Sequence, residues 1–347
     1  MLPIKLLDCT LRDGGFCNDW HFGKETIKGV FQGLARAGAD IIEVGFLNAR
    51  RPFDPERSIM PDTQSANRIF GHLDRKSTLV VAMIDYGTCP LESIAPREAT
   101  CLDGIRVIFK KPKRFEALAF CTELRRLGYL VFVQPVSITD YTDEELRDLG
   151  CRVNTLAPNA VSVVDTYGLL HGEELIHYFD ILHHTMNESI ALGYHAHNNL
   201  QLAYANCIAV IRKASTMGSR RALILDASLL GMGKSAGNTP LELLALYLNR
   251  YHGKDYGIEN ILELIDRYIT PGITPPPWGY SILYFLASAT GCHPSYVAYL
   301  RERGVDCATV YTLLGKIPAE KRLIFDEAYI AQAYRTAREG LHETIPL

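Results

Sequence analysis

No stretch of this 347-residue chain comes near the 18 or so uncharged apolar residues that a membrane span needs. Its start, Met1-Leu2-Pro3-Ile4-Lys5-Leu6-Leu7-Asp8, has no apolar core of signal-peptide length and no small-residue cleavage site. The nine cysteines are odd in number, scattered and without a Cys-x-x-Cys pair, which argues against a disulfide framework or a zinc ribbon. Reduced thiols and a cytoplasmic location are therefore expected. Charge of one sign is also scarce: 36 Lys and Arg against 39 Asp and Glu give a net −3. The basic run 109–114 is too short to change that, so neither nucleic acid nor an anionic membrane is an expected partner. No Gly-x-Gly-x-x-Gly stands at the first strand–helix turn, which weakens a Rossmann reading.

The chain does have the means to build a large core, with 48% hydrophobic and 22% charged residues. Short β-rich runs alternate with helical stretches over the first 250 or so residues. Strands are expected at Ile4 to Thr10, Ile41 to Phe46, Leu79 to Ile84, Gly104 to Phe109, Leu130 to Val136, Ala160 to Val164, Ile190 to His195 and Ala222 to Ser228. Each is nearly continuous in apolar residues, as a parallel sheet covered on its outside requires. Eight such strands favour a closed (β/α)₈ barrel, an α/β TIM barrel, over an open sheet. The expected barrel occupies residues 1–254. From about 255 the strand pattern stops, and 255–347 reads as a C-terminal helical appendix. Its helices are expected at Glu259 to Tyr268, Trp278 to Thr290, Pro294 to Arg303 and Ala319 to Glu339, with the proline-rich run from Thr270 to Pro277 as a stiff connector.

Reactive groups of such a barrel sit at the C-terminal ends of its strands. One end reads Asp8-Cys9-Thr10-Leu11-Arg12-Asp13-Gly14-Gly15. Alternation places Asp8, Thr10 and Arg12 on one face, with Asp13 where the chain turns. A plain Asp-Gly-Gly turn accounts for this stretch about as well. A second end reads Tyr194-His195-Ala196-His197-Asn198-Asn199. Two histidines two apart project to one side of an extended chain, the spacing for two nitrogen ligands on one metal, and the asparagines can cap the next helix. A third, Gly231-Met232-Gly233-Lys234-Ser235-Ala236-Gly237-Asn238-Thr239-Pro240, lacks the full Walker pattern and reads better as a lid over the barrel mouth. Asp165-Thr166-Tyr167-Gly168 is either pocket lining or a plain turn. Asp13, His195 and His197 together offer two nitrogens and one carboxylate, a set suited to Mn²⁺, Mg²⁺, Zn²⁺, Co²⁺ or Fe²⁺. Such an ion would polarise the carbonyl of a 2-oxo acid, and Arg12 would add fixed positive charge on the same oxygen.

These clusters resemble the DRE-TIM metallolyases, the HMG-CoA lyase-like family. That group holds 4-hydroxy-2-oxovalerate aldolase, 3-hydroxy-3-methylglutaryl-CoA lyase and 2-isopropylmalate synthase. The resemblance rests on the Asp8–Gly14 run, on Ile42-Glu43-Val44-Gly45-Phe46, on Asp165-Thr166-Tyr167-Gly168, on His195-Ala196-His197-Asn198 and on the glycine-rich loop through Pro240. It implies a divalent metal, Mn²⁺ or Mg²⁺ first and Zn²⁺ or Co²⁺ next, held by Asp13, His195 and His197. Asn238 would complete the metal shell, and Arg12 would polarise the oxo group.

The aldolase is the nearest member, and it places a basic His two residues after the motif's Gly, where this chain has Phe16. The synthases' Glu-Gln is absent too. The base is therefore open among His21, Asp19 and Tyr280, the last through similarity to a pocket tyrosine of the aldolase's C-terminal region. The resemblance implies cleavage or formation of a 4-hydroxy-2-oxo acid from pyruvate and an aldehyde, with a small 2-oxo acid as substrate. It also implies a homodimer and an aldehyde dehydrogenase as partner. Two alternatives stand beside it: a Claisen-type acyl-CoA synthase on the same metal site, and a non-catalytic barrel acting as a binding partner.

Overall fold

In the computed structural model, which describes residues 2–271 and 277–342, eight parallel strands close on themselves. They are β1 (Ile4–Asp8), β2 (Ile41–Leu47), β3 (Leu79–Asp85), β4 (Gly104–Phe109), β5 (Leu130–Pro135), β6 (Ala160–Asp165), β7 (Ala191–Ala196) and β8 (Leu223–Ala227). Each pairs with the next, and β1 closes the barrel by pairing with both neighbours, Leu7 against Ile41 and Ile4 against Leu223. All seven residues of β2 are buried, which is what a sheet covered on both faces demands of its sequence. The helices between strands are α1 (Lys24–Arg36), α2 (Thr63–Phe70), α3 (Arg114–Arg126), α4 (Asp143–Leu156), α5 (Gly172–Thr185), α6 (Ala203–Thr216) and α7 (Leu241–His252). The chain is thus a TIM barrel, as the strand count implied.

The barrel interior is layered by the period of two along each strand. Its floor is apolar: Leu7, Ile41, Val81, Phe132, Ala160, Ala191 and Ile224 cluster there. Two residues further along β2, β5, β6 and β8 come Glu43, Gln134, Ser162 and Asp226, joined by Arg106 from β4, all buried. A polar layer therefore lies directly under the C-terminal mouth.

Two departures from the expected elements have local causes. The first strand stops at Asp8, because the Asp8 carboxylate accepts bonds from the Thr10 backbone N–H (3.0 Å) and hydroxyl (2.7 Å) and turns the chain into a helical turn, Thr10–Asp13. Asp8, Thr10 and Arg12 are therefore not three residues of one extended face. Helix α2 was not anticipated. It starts where the Asp62 side chain accepts from the Ser65 N–H at 2.7 Å.

After α7, helix α8 (Ile258–Leu264) and the turn Ile265–Ile269 pack back on α1, where side-chain-free Gly33 and Gly29 make room for Leu264 and Tyr268. Ile261, Leu264, Ile269 and Trp278 belong to the barrel's core. A second core, running from Leu286 to Ile330, is built by α9 (Ile282–Thr290), α10 (Pro294–Glu302), α11 (Cys307–Gly315) and α12 (Glu327–His342). The expected helix from Trp278 begins at Ile282, capped by Ser281, and the expected 319–339 helix is split into a turn at Ala319–Arg322 and α12. Most of the expected proline-rich connector, 272–276, lies outside the described residues.

This helical unit sits on the barrel mouth. Tyr167, in the loop after β6, donates its hydroxyl to the Leu323 carbonyl (3.0 Å), and its own carbonyl accepts from the Ser288 hydroxyl (3.0 Å). The Trp278 indole N–H reaches the Leu230 carbonyl at 3.0 Å, fastening the glycine-rich loop. Among the described residues, no helix is long and apolar enough to cross a membrane.

Candidate metal centre

Asp13, His195 and His197 come together at the mouth from chain positions more than 180 residues apart. All three are buried, and each offers a ligand atom within 4.8 Å of the others. Asp13 lies at the end of the turn that Asp8 starts. His195 is the fifth residue of β7, and His197 lies just beyond the strand's end.

The imidazoles are oriented from behind. His195 Nδ1 faces Asp226 Oδ2 at 2.9 Å, which fixes the proton on Nδ1 and leaves Nε2 free as a ligand. His197 Nδ1 faces the Gly237 carbonyl at 3.3 Å, with the same consequence. Burial, with His195, Lys234 and Arg12 nearby, pushes the pKa of His197 down to about 4 despite the Asp13 charge. It is thus a neutral ligand at physiological pH. Burial alone would raise Asp13, but the Arg12 guanidinium, both histidines and an Asn238 hydrogen bond outweigh it and hold the carboxyl well below its usual range. A pre-ionised carboxylate beside two imidazole nitrogens is a divalent-metal donor set.

Asn238 joins them. Its Nδ2 donates to Asp13 Oδ2 (2.6 Å) and to the Met232 carbonyl (3.2 Å), while its buried Oδ1 has no hydrogen-bond partner among the described residues. An orphaned buried carbonyl oxygen next to three ligands fits a fourth donor. The glycine-rich loop is pressed onto this group: the Lys234 N–H approaches Asp13 Oδ2 at 3.3 Å, and a Cβ at Gly233 would run into Asn238 and Asp13. Asn198 and Asn199 divide the work expected of them. Asn198 caps toward Ala203 at 3.1 Å, whereas Asn199 holds the loop through the Ala236 N–H at 3.3 Å.

Arg12 is paired on two sides, through Nε to Glu43 (2.7 Å) and through Nη1 to Asp13. Burial opposes its charge, but Glu43 and Asp13 keep it protonated. Its Nη2 has no hydrogen-bond partner among the described residues and is the donor left for a substrate oxygen. Behind it, Arg106 ties the polar layer together, 3.0 Å from Glu43 and 2.5 Å from Asp226. Arg106 and Asp226 were not singled out from sequence, and Glu43 was only part of a motif. Each is a single charge inside an otherwise apolar strand, and that was the available signal.

The pocket above is lined by Arg12, Asp13, His195, His197, Gln134, Thr166 and Lys234, with a wall of Phe16, Phe46, Met83, Ile108, Val136 and Val164. Two candidates for the base are not brought into it. His21 is exposed and bridges to Arg57 on the outer side of the loop, because Trp20 turns inward instead, donating its indole N–H to the Arg12 carbonyl at 2.7 Å. Asp19 is exposed in ion pairs with Arg51 and Arg57, both at 2.7 Å. Tyr280 is 62% exposed and lines neither this pocket nor the adjoining hollow, where Tyr284 stands. Of the Asp165 segment, Thr166 lines the pocket. Asp165 itself accepts from the Leu169 and Leu170 N–H groups and shapes the turn.

This chain is similar to several known proteins. A 4-hydroxy-2-oxovalerate aldolase from Geobacillus genomosp. 3 is 23% identical over 316 residues, 87% of each chain. An oxaloacetate decarboxylase from Mycobacterium tuberculosis is 26% identical over 257 residues, 72% of this chain and 70% of that one. Among solved structures, the HMG-CoA lyase from Brucella melitensis shares the fold, with a TM-score of 0.60 at 15% identity over 76% of this chain and 96% of that one. The HMGL-like family model matches residues 3–265. The chain therefore belongs to the HMGL-like family, the DRE-TIM lyases, and is an enzyme of that class.

Proposed function

We propose that this protein cleaves, or in reverse forms, a 4-hydroxy-2-oxo acid, giving pyruvate and an aldehyde. The observation that carries the reading is the convergence of Asp13, His195, His197 and the orphaned Asn238 oxygen beside an unpaired guanidinium nitrogen of Arg12. Mn²⁺ or Mg²⁺ in this donor set supplies Lewis-acid polarisation of the 2-oxo group. Arg12 Nη2 donates to the same oxygen as charge grows on it, and Glu43 and Asp13 keep the guanidinium rigid and charged. Cleavage breaks the C3–C4 bond. Its electron pair passes to the enolate of pyruvate as the 4-hydroxyl gives up its proton and becomes the aldehyde, and a proton, the one released or one from water, then adds to C3 of the enolate to give pyruvate. The apolar wall from Phe46 to Val164 keeps water from that carbanion. A cytoplasmic setting, a homodimer and an aldehyde dehydrogenase partner complete the proposed reading; their support is the nine free thiols and the resemblance of the helical unit.

The test is pyruvate release from a panel of 4-hydroxy-2-oxo acids, with the purified protein stripped of metal and then restored with Mn²⁺. Release that appears only on restoration supports the reading. Metal binding without pyruvate release from any member of the panel contradicts it.

A further inference from the structure

We propose that Lys234 makes this site selective for oxo acids carrying a second carboxylate, so that the substrate is a dianionic oxo-dicarboxylate rather than a neutral-tailed oxo acid. The inference rests on the metal-site reading above and adds the chemistry of the substrate's far end.

Lys234 is fixed at its backbone. Its N–H faces the Asp13 carboxylate at 3.3 Å, Gly233 before it is packed against Asn238 and Asp13, and Ser235 after it sits at a left-handed φ of 60°. The side chain therefore starts at the metal group and extends away from it. Its ammonium lies 5.3 Å from the centre of the Phe16 ring, and the residue lines both the metal pocket and the adjoining hollow under α9 and α10. Phe16, which occupies the place of the aldolase's basic histidine, thus serves as the platform for a lysine.

Asp85 feels its charge, but no carboxylate forms an ion pair with it among the described residues. Of the two cations lining the metal pocket, Arg12 is paired with Glu43 and Asp13, whereas Lys234 has neither an ion pair nor a side-chain hydrogen bond among the described residues. Much of the wall beyond is apolar, and the ammonium at its rim is positioned to read the far end of a chain whose other end is on the metal.

The experiment uses two stable probes of one chain length, 2-oxoglutarate and 2-oxovalerate, which differ only in carboxylate against methyl at the far end. Binding to the Mn²⁺-loaded protein is measured by calorimetry for wild type, Lys234→Gln and Lys234→Arg. Wild type is expected to prefer 2-oxoglutarate by at least about tenfold, the scale of one charge-assisted hydrogen bond. Lys234→Gln should erase the preference and Lys234→Arg should keep it. Equal, metal-dependent binding of both probes to wild type overturns the proposal and leaves the metal reading standing, as does a preference that survives in Lys234→Gln. Metal-dependent binding of neither probe overturns both.

Discussion

Asp226 uses one oxygen to hold both the Arg106 guanidinium, at 2.5 Å, and the Nδ1 proton of His195, at 2.9 Å. Burial would raise its pKa, but Arg106 and His195 hold it below the usual carboxylate range. Asp226→Asn keeps the shape and can still offer one oxygen to both donors, but removes the charge that Arg106 and His195 face. The expected outcome is a loss of about 3–5 kcal/mol in denaturant unfolding and a metal affinity lower by about 10–100-fold. Wild-type metal affinity in the variant would show that His195 does not depend on Asp226. Asp8 behaves in the opposite sense: burial pushes its pKa up to about 7. That lies above the ~3.9 of an unfolded chain, so the folded state binds the extra proton across the interval. The contribution to stability is present in full below about pH 4 and is lost as pH rises through 7. Asp8→Asn should therefore gain on wild type between pH 5 and pH 8, by at least ~1 kcal/mol in paired chemical melts. A gap independent of pH would place the raised carboxyl elsewhere.

At the scale of elements, the strands were legible because a parallel barrel strand must be apolar on both faces, and Ile41–Leu47 is. The two histidines and Asp13 were legible because their spacing and their places at strand ends matter more than anything distant. The loop bearing Gly14 to Phe22 was not legible, since its course depends on Trp20, at a left-handed φ of 58°, turning in beneath Arg12 and sending His21 outward. Nor was the docking of the helical unit, which depends on single polar contacts from Tyr167 and Ser288. Tyr167→Phe removes the bond to Leu323 and should cost about 1 kcal/mol. Its effect should show as faster amide exchange in α9 and α12 while the barrel strands exchange as before. Uniform acceleration throughout would mean that the two cores unfold as one unit.

At the scale of the whole molecule, the helical unit packs against the mouth that holds the site. The polar layer under the mouth orients His195, the glycine-rich loop carries Asn238 and Lys234 to the Asp13, His195 and His197 cluster, and Trp278 fastens that loop from the C-terminal side. The account's central claim is that Asp13, His195 and His197 hold one divalent ion. The measurement that tests it most directly is the metal-to-protein ratio of wild type and His197→Ala after equilibration with Mn²⁺ and removal of free ion. Circular dichroism confirms that the variant is folded, as expected for a ligand at a strand end. The account predicts about one ion per chain in wild type and retention near zero in the variant. Full stoichiometry in a folded His197→Ala protein would contradict it.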